Sequence, residues 1–192
     1  MHVKNKPNSH PNAPYIDDDT ESVSLIVRLR APALALGLGL GIGISFITSN
    51  FEKVLSHDVR VAFFLPFIVY LADAIGTQTQ TIYARDLQTG RTKFHNYLIK
   101  ETFIGLIFGS LFSLISGALI MFWFNDQILA LCISSAVFIT VLVAPMVALL
   151  TTEISYRLNC DPAAEAGPIS TVIQDMLSIV IFGLISSAIL LP

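Results

Sequence analysis

Charge is what this chain has least of. Asp, Glu, Lys and Arg make up only 13% of its 192 residues while 54% are hydrophobic, whereas a soluble domain carries roughly a quarter charged residues. With a net charge of −3 and no stripe of basic residues, nothing invites nucleic acid. Cysteine is scarce too: Cys132 sits in an apolar run and Cys160 in a connector, a pair with neither a disulfide framework nor metal-ligand spacing. Cys132 reads as a small packing residue. The four histidines are scattered outside the apolar segments, with no Ser–His, Cys–His or His-x-x-x-His arrangement. The chain is therefore not expected to be an enzyme. His2 and His10 are too isolated to form a metal site. The first 22 residues, MHVKNKPNSHPNAPYIDDDTES, lack the apolar core of a signal peptide. They read as a disordered cytosolic tail kept soluble by the acidic run 17–19, with residues 23–192 as one membrane domain.

Long apolar runs are what the chain has instead. Residues 31–51, 102–125 and 127–152 are uncharged, and 61–84 and 166–192 are each interrupted by a single Asp, Asp73 and Asp175. Each run meets the roughly 20 residues that a spanning helix needs, so the fold expected is an all-α membrane protein of five transmembrane helices. An ionised Asp at bilayer depth costs about 2.5 kcal/mol or more, and so faces a protein interior or an aqueous path.

Lys and Arg set the expected orientation. With the N-terminus inside, Lys4, Lys6, Arg28, Arg30, Arg85, Arg91, Lys93, Lys100 and Arg157 are cytoplasmic, and only Lys53 and Arg60 lie outside. The C-terminus then faces out, in a multi-pass protein of the plasma (inner) membrane. The connector at 85–101 is polar, with Gly90 as its break, and reads as a short interfacial turn or helix in which His95 is an exposed residue. Glu101 and Glu153 mark cytoplasmic ends of the third and fourth segments; they read as solvated ends, or else as groups drawing cations to an inner vestibule.

Small residues indicate where helices meet. Gly105, Gly109, Ser113 and Gly117 recur at every fourth position of the third segment, and Gly37, Gly39, Gly41 and Gly43 give the first segment two overlapping GxxxG pairs. No strand precedes these glycines, which rules against a nucleotide loop. A dimer seam and packing within the chain both remain open. Pro66, Pro145 and Pro168 each free a carbonyl four residues earlier if they lie within a helix. The plain outcome is a kink; beside a polar cavity the freed carbonyls become oxygen ligands. Asp161 and Pro162 have the pattern of an N-cap and first helical residue, so a short turn is expected before a break at Gly167-Pro168.

The polar residues inside the membrane are organised. In LADAIGTQTQTIYARDL, Asp73, Thr77, Gln80 and Thr81 fall on one helical face with Gln78 beside it; in GPISTVIQDMLS, Pro168, Thr171, Asp175 and Ser178 share another. Oxygen donors without sulfur or imidazole suit a hard cation, Mg²⁺ or Ca²⁺ and also Mn²⁺. At 1.5 Å rise per residue, Asp175 lies about 14 Å from the inner end of its segment and Asp73 about 18 Å from Arg85. Two carboxylates at similar depth could share one divalent ion, which would offset their repulsion.

The segment 66–85, with its G-T-Q-T-Q-T and following R-D-L, resembles the second membrane helix of the MgtE magnesium transporter family. Lys100-Glu101 and the stretch DPAAEAGPISTVIQD extend the resemblance in the right order, from about Arg28 to the C-terminus. What it implies is a homodimer in the lipid bilayer that carries Mg²⁺ through a pore between subunits. The family's pore carboxylate maps onto Asp175, and the groups one turn before it onto Thr171 and Val172. Together with Asp73, Thr77 and Gln78 these are the candidate metal ligands. Two departures stand out. The family's long cytosolic N-terminal region with its CBS pair has no counterpart before the apolar runs, so gating of that form is not expected in cis. Asp73 also adds a charge to a stretch that is glycine-rich in the family. The competing expectations are a carrier exchanging divalent cations for Na⁺ or H⁺, and a scaffold subunit that transports nothing.

Overall fold

A computed structural model describes residues 22–87, 89–90, 92–158 and 166–191. Most of the N-terminal tail, Arg91, Cys160 and the Asp161-Pro162 pair lie outside the described residues, as does the side chain of Pro168. Every regular element described is an α-helix: α1 (Val23–Ser49), α2 (Glu52–His57), α3 (Val59–Leu87), α4 (Phe94–Phe124), α5 (Gln127–Arg157) and α6 (Ala166–Leu190). Four of them, α3 to α6, are long and apolar enough to span a membrane, and α1, whose two halves Val23–Pro32 and Leu34–Ser49 meet at 42°, has the length and composition of a fifth if those halves are one span. The five apolar runs thus lie in five helices, which give four spans, or five if the two halves of α1 are one. The short α2 was not expected.

The charged connector proved shorter than its sequence suggested. α3 runs on through Arg85 and Asp86 to Leu87, and α4 begins already at Phe94. Polar residues 94–101 therefore extend a helix instead of forming a separate turn. Gly90 does mark the break, at φ +67, a left-handed conformation that favours glycine. α6 begins at Ala166, so Pro168 falls in its first turn, where a missing N–H removes no intrahelical bond. The expected break at Gly167-Pro168 is replaced by a helix start. Pro66 and Pro145 do lie inside helices, α3 and α5.

α5 is the hub: it packs against α3, α4 and α6, α3 also meets α6, and α1 leans on α6. Its buried residues include Leu129, Cys132, Ile133, Ala136, Val137 and Val141, joined by Val61, Phe64 and Ile68 of α3 and Phe182 of α6. Cys132 is fully enclosed, its Sγ donating to Ser186 Oγ at 3.4 Å. Lipid tails are as apolar as these side chains, so shape and hydrogen bonding must drive the association. The α4 stripe supplies the shape. A Cβ added at Gly105 would stand 3.0 Å from the Leu142 carbonyl and 3.2 Å from the Pro145 ring, and one at Gly109 would stand 3.1 Å from the Phe138 carbonyl. The stripe thus serves packing within the chain, against α5. Nothing described lies within 4 Å of such a Cβ at Gly37, Gly39, Gly41 or Gly43.

At one end, Asn125 in the left-handed region and Asp126 turn α4 into α5, with Asp126 Oδ1 accepting from Ile128 N and Leu129 N at 3.0 Å each. Arg60 Nη2 then bridges Asp126 Oδ2 at 2.8 Å and Asp58 Oδ2 at 2.6 Å. Both carboxyls are held below the ordinary value of 3.8, Asp58 chiefly by its hydrogen bond from Arg60 and Asp126 chiefly by the Leu129 N–H and then Arg60. Because the folded-state values are depressed, their stabilisation is complete above the unfolded carboxylate range and is lost as pH falls through the folded values.

Two outcomes follow from this packing. Gly109→Leu should prevent folding, since backbone on α5 leaves no room, whereas Gly41→Ala should leave the thermal midpoint unchanged or slightly raised by better helix propensity. Asp126→Ala should lower stability by about 1 kcal/mol through loss of the cap, and its midpoint should fall less steeply than wild type below about pH 4. Thermal unfolding in detergent across pH checks both.

Candidate functional site

α3 and α6 pack closely where α3 presents a glycine to a side chain of α6. Gly76 of α3 is buried, and a Cβ there would sit only 1.6 Å from Oε1 of Gln174 on α6. Asp73 lies one turn before Gly76, and Asp175 directly follows Gln174. The crossing therefore brings both sequence-predicted carboxylates to the same level of the bundle, within electrostatic range of each other.

Each carboxylate is half-buried. Thr77 Oγ1 approaches Asp73 Oδ1 at 3.4 Å, a long contact, while Thr81 Oγ1 is committed to the Thr77 carbonyl at 2.8 Å. Among the described residues no hydrogen-bond donor reaches Asp175. Thr171 and Val172, one turn earlier on α6, are partly buried. Ser178 turns back onto its own helix, donating to the Gln174 carbonyl at 2.7 Å. Thr77, Gln78 and Thr81 are exposed on α3. The structure thus brings Thr77 to Asp73 and sets Asp73 at the level of Asp175, while Gln78 stands on the flank with no hydrogen bond among the described residues. No three His, Cys, Asp or Glu side chains gather into a metal cage among those residues. What one chain offers is two acidic groups with neutral oxygens beside them, open on one side.

The other carboxylates are not the solvated ends expected from sequence. Glu101 is only 8% exposed and accepts from Thr79 Oγ1 at 2.8 Å. Glu153 accepts from the buried Tyr83 hydroxyl at 2.6 Å and from Arg157 at 2.7 Å. Tyr97 packs on Tyr83 with ring centroids 4.9 Å apart and donates to Asp86, which also pairs with Arg85. This network ties α3, α4 and α5 together at the end opposite Arg60. Beside it lies a cleft of about 870 Å³ lined by residues including Asp86, Asn96, Lys100 and Glu101. The signal for Glu101 was present in the sequence: it continues the four-residue spacing of Gly105 and Gly109, the face that α4 buries.

A bundle of membrane-length helices with two half-buried carboxylates at one helix crossing has the form of an integral membrane protein. The sequence profile of MgtE, described as a divalent cation transporter, matches residues 65–185, which span α3 to α6 and contain both carboxylates. The chain belongs to the MgtE family. It is 27% identical over 145 residues to the magnesium transporter MgtE of Bacillus subtilis, covering 74% of this chain and 32% of that protein. The MgtE proteins of Enterococcus faecalis and Thermus thermophilus align similarly, at 27% over 144 residues and 25% over 142 residues. These cover 73% and 72% of this chain, and 32% and 31% of those proteins. The chain thus spans about a third of the length of the curated relatives it matches.

Tyr83→Phe removes a hydrogen bond to a charged acceptor and should lower stability by about 1.5–3 kcal/mol. Chemical unfolding in mixed micelles would register it, with Tyr70→Phe, at an exposed tyrosine, as the comparison.

Proposed function

We propose that this chain forms the membrane pathway of a Mg²⁺ transporter, with Asp175 as its principal cation-binding group. The observation that carries this reading is the α3–α6 crossing: two carboxylates at one level of an apolar bundle, with no hydrogen-bond donor on Asp175 among the described residues. Hydrated Mg²⁺ sheds water reluctantly and is usually held by one or two carboxylates plus retained waters. A sparse, open acidic site suits it better than a closed cage. Mn²⁺ and Ca²⁺ share the oxygen preference, and Mn²⁺ serves as a probe. Thr171, Val172, Thr77 and Gln78 contribute neutral oxygens around the path.

The exposed polar face of α3 supports a homodimer. Hydroxyls and amides at membrane depth cannot face lipid, so they face protein or water. A second copy related by a two-fold axis would cover Thr77, Gln78 and Thr81 and set the carboxylates of both subunits around one aqueous path. The excess of Lys and Arg at the Glu101 end supports a cytoplasmic N-terminus and an outward C-terminus in the plasma membrane. Residues 23–192 act as one transport domain on this reading, preceded by a cytosolic tail. Asp73 favours a second form of the same activity, in which its carboxylate carries Na⁺ or H⁺ in exchange for the divalent ion.

Flux into liposomes containing the purified protein alone tests the proposal, and its absence would favour a scaffold subunit. Asp175→Ala should abolish Mg²⁺ flux in a folded, assembled protein, and Asp175→Asn should fail nearly as completely, since it keeps shape and loses charge. Normal flux in either would remove Asp175 from the mechanism. Asp73→Asn should weaken Mg²⁺ more than a monovalent ion, because attraction scales with ion charge. If Asp73 is instead the coupling group, the variant loses its pH or sodium dependence and keeps divalent binding.

A further inference from the structure

Gln174 occupies a place its neighbours do little to justify energetically. It is 2% exposed, and its Nε2 donates to Ser170 Oγ at 3.1 Å. Ser170 Oγ bonds Thr151 Oγ1 at 2.9 Å, which in turn reaches the Val147 carbonyl at 2.9 Å, so the amide is anchored through α6 onto α5. Its Oε1, however, is buried without a donor. That oxygen fills the position where any residue other than glycine at 76 would place its Cβ, 1.6 Å from Oε1 and 2.5 Å from Cδ. The Gly76 Cα–H therefore points at the amide oxygen, a weak C–H···O contact. An isolated carbonyl oxygen is a poor group to bury for stability alone.

We propose that Gly76 and Gln174 are positioning residues that set the separation of Asp73 and Asp175, and through it the preference for divalent over monovalent cations. This rests on the cation-pathway reading above. The contact fixes how closely α3 approaches α6, and each partner lies within one turn of a carboxylate. A divalent ion gains from two negative charges only while both are near it; a monovalent ion gains half as much from each. Widening the crossing thus penalises Mn²⁺ or Mg²⁺ more than Na⁺.

The test uses the full chain in nanodiscs, Mn²⁺ binding by electron paramagnetic resonance with Na⁺ as competitor, and thermal midpoints for every variant. Gly76→Ala is expected to fold with α3 and α6 pushed slightly apart, because the clash is with the far end of a side chain anchored on Ser170 and not with backbone. It should weaken Mn²⁺ binding by about tenfold and lower the Mn²⁺-over-Na⁺ preference, a change of about 1.4 kcal/mol. In Gly76→Ala/Gln174→Ala the new methyl enters space left by the amide, and binding should recover most of that tenfold loss. A purely structural role would shift thermal midpoints in step with binding; here preference changes while the midpoint stays close to wild type. Gln174→Asn shortens the spacer by one methylene without a clash, should shift preference the opposite way by letting the helices close, and decides the matter if Gly76→Ala does not fold. Wild-type preference in either folded single variant, or a double variant no better than Gly76→Ala, would overturn the proposal. Asp175→Ala runs alongside: if it binds Mn²⁺ normally, the pathway itself fails and this proposal with it. If only Asp175→Ala loses binding, the pathway stands and the spacing role is wrong.

Discussion

A pair of carboxyl groups inside an apolar bundle is the constraint around which this chain is arranged. In lipid, helices gain nothing from burying apolar surface against one another, so close backbone contact and satisfied polar groups must hold them. The chain meets both needs with α5 as the hub. Gly105 and Gly109 let α4 settle onto α5, and Gly76 lets α3 receive the Gln174 amide of α6. With those approaches in place, Asp73 and Asp175 stand together at one level, where the low dielectric makes their mutual repulsion strong and their attraction for a cation stronger still.

Three other carboxylates of the bundle are partnered. Glu101 receives Thr79, Glu153 receives Tyr83 and Arg157, and Asp126 caps α5 while holding Arg60. Asp175 stands apart from this pattern, with no donor among the described residues. The contrast separates carboxylates that stitch helices from one that is open to a ligand, and it is the physical content of the transport reading.

Much of this was legible in the sequence because lipid imposes a simple rule: long uncharged runs become helices. The five runs and the two intramembrane aspartates follow from that rule, and the four-residue spacing of small residues in α4 announced a close helix contact. Three things were less legible. The charges at 85–101 masked helical turns, because helices here project past the apolar zone and a charge count cannot tell a helix end from a loop. Glu101 carries charge at a helix end, which suggests solvent, yet its spacing from Gly105 places it on the buried face. The Gly76–Gln174 contact joins residues almost a hundred positions apart, and no periodicity within one segment encodes a partner on another.

The account turns on where a cation sits. Anomalous diffraction from Mn²⁺-loaded crystals of the full chain would locate it directly, with Mg²⁺-loaded crystals giving coordination distances. The account predicts a Mn²⁺ peak within direct or single-water reach of Asp175 and Asp73, and direct Mg²⁺–oxygen distances of about 2.0–2.1 Å. Manganese found only in the cleft beside Glu101 and Asp86, with the α3–α6 crossing unoccupied at saturating Mn²⁺, would contradict it.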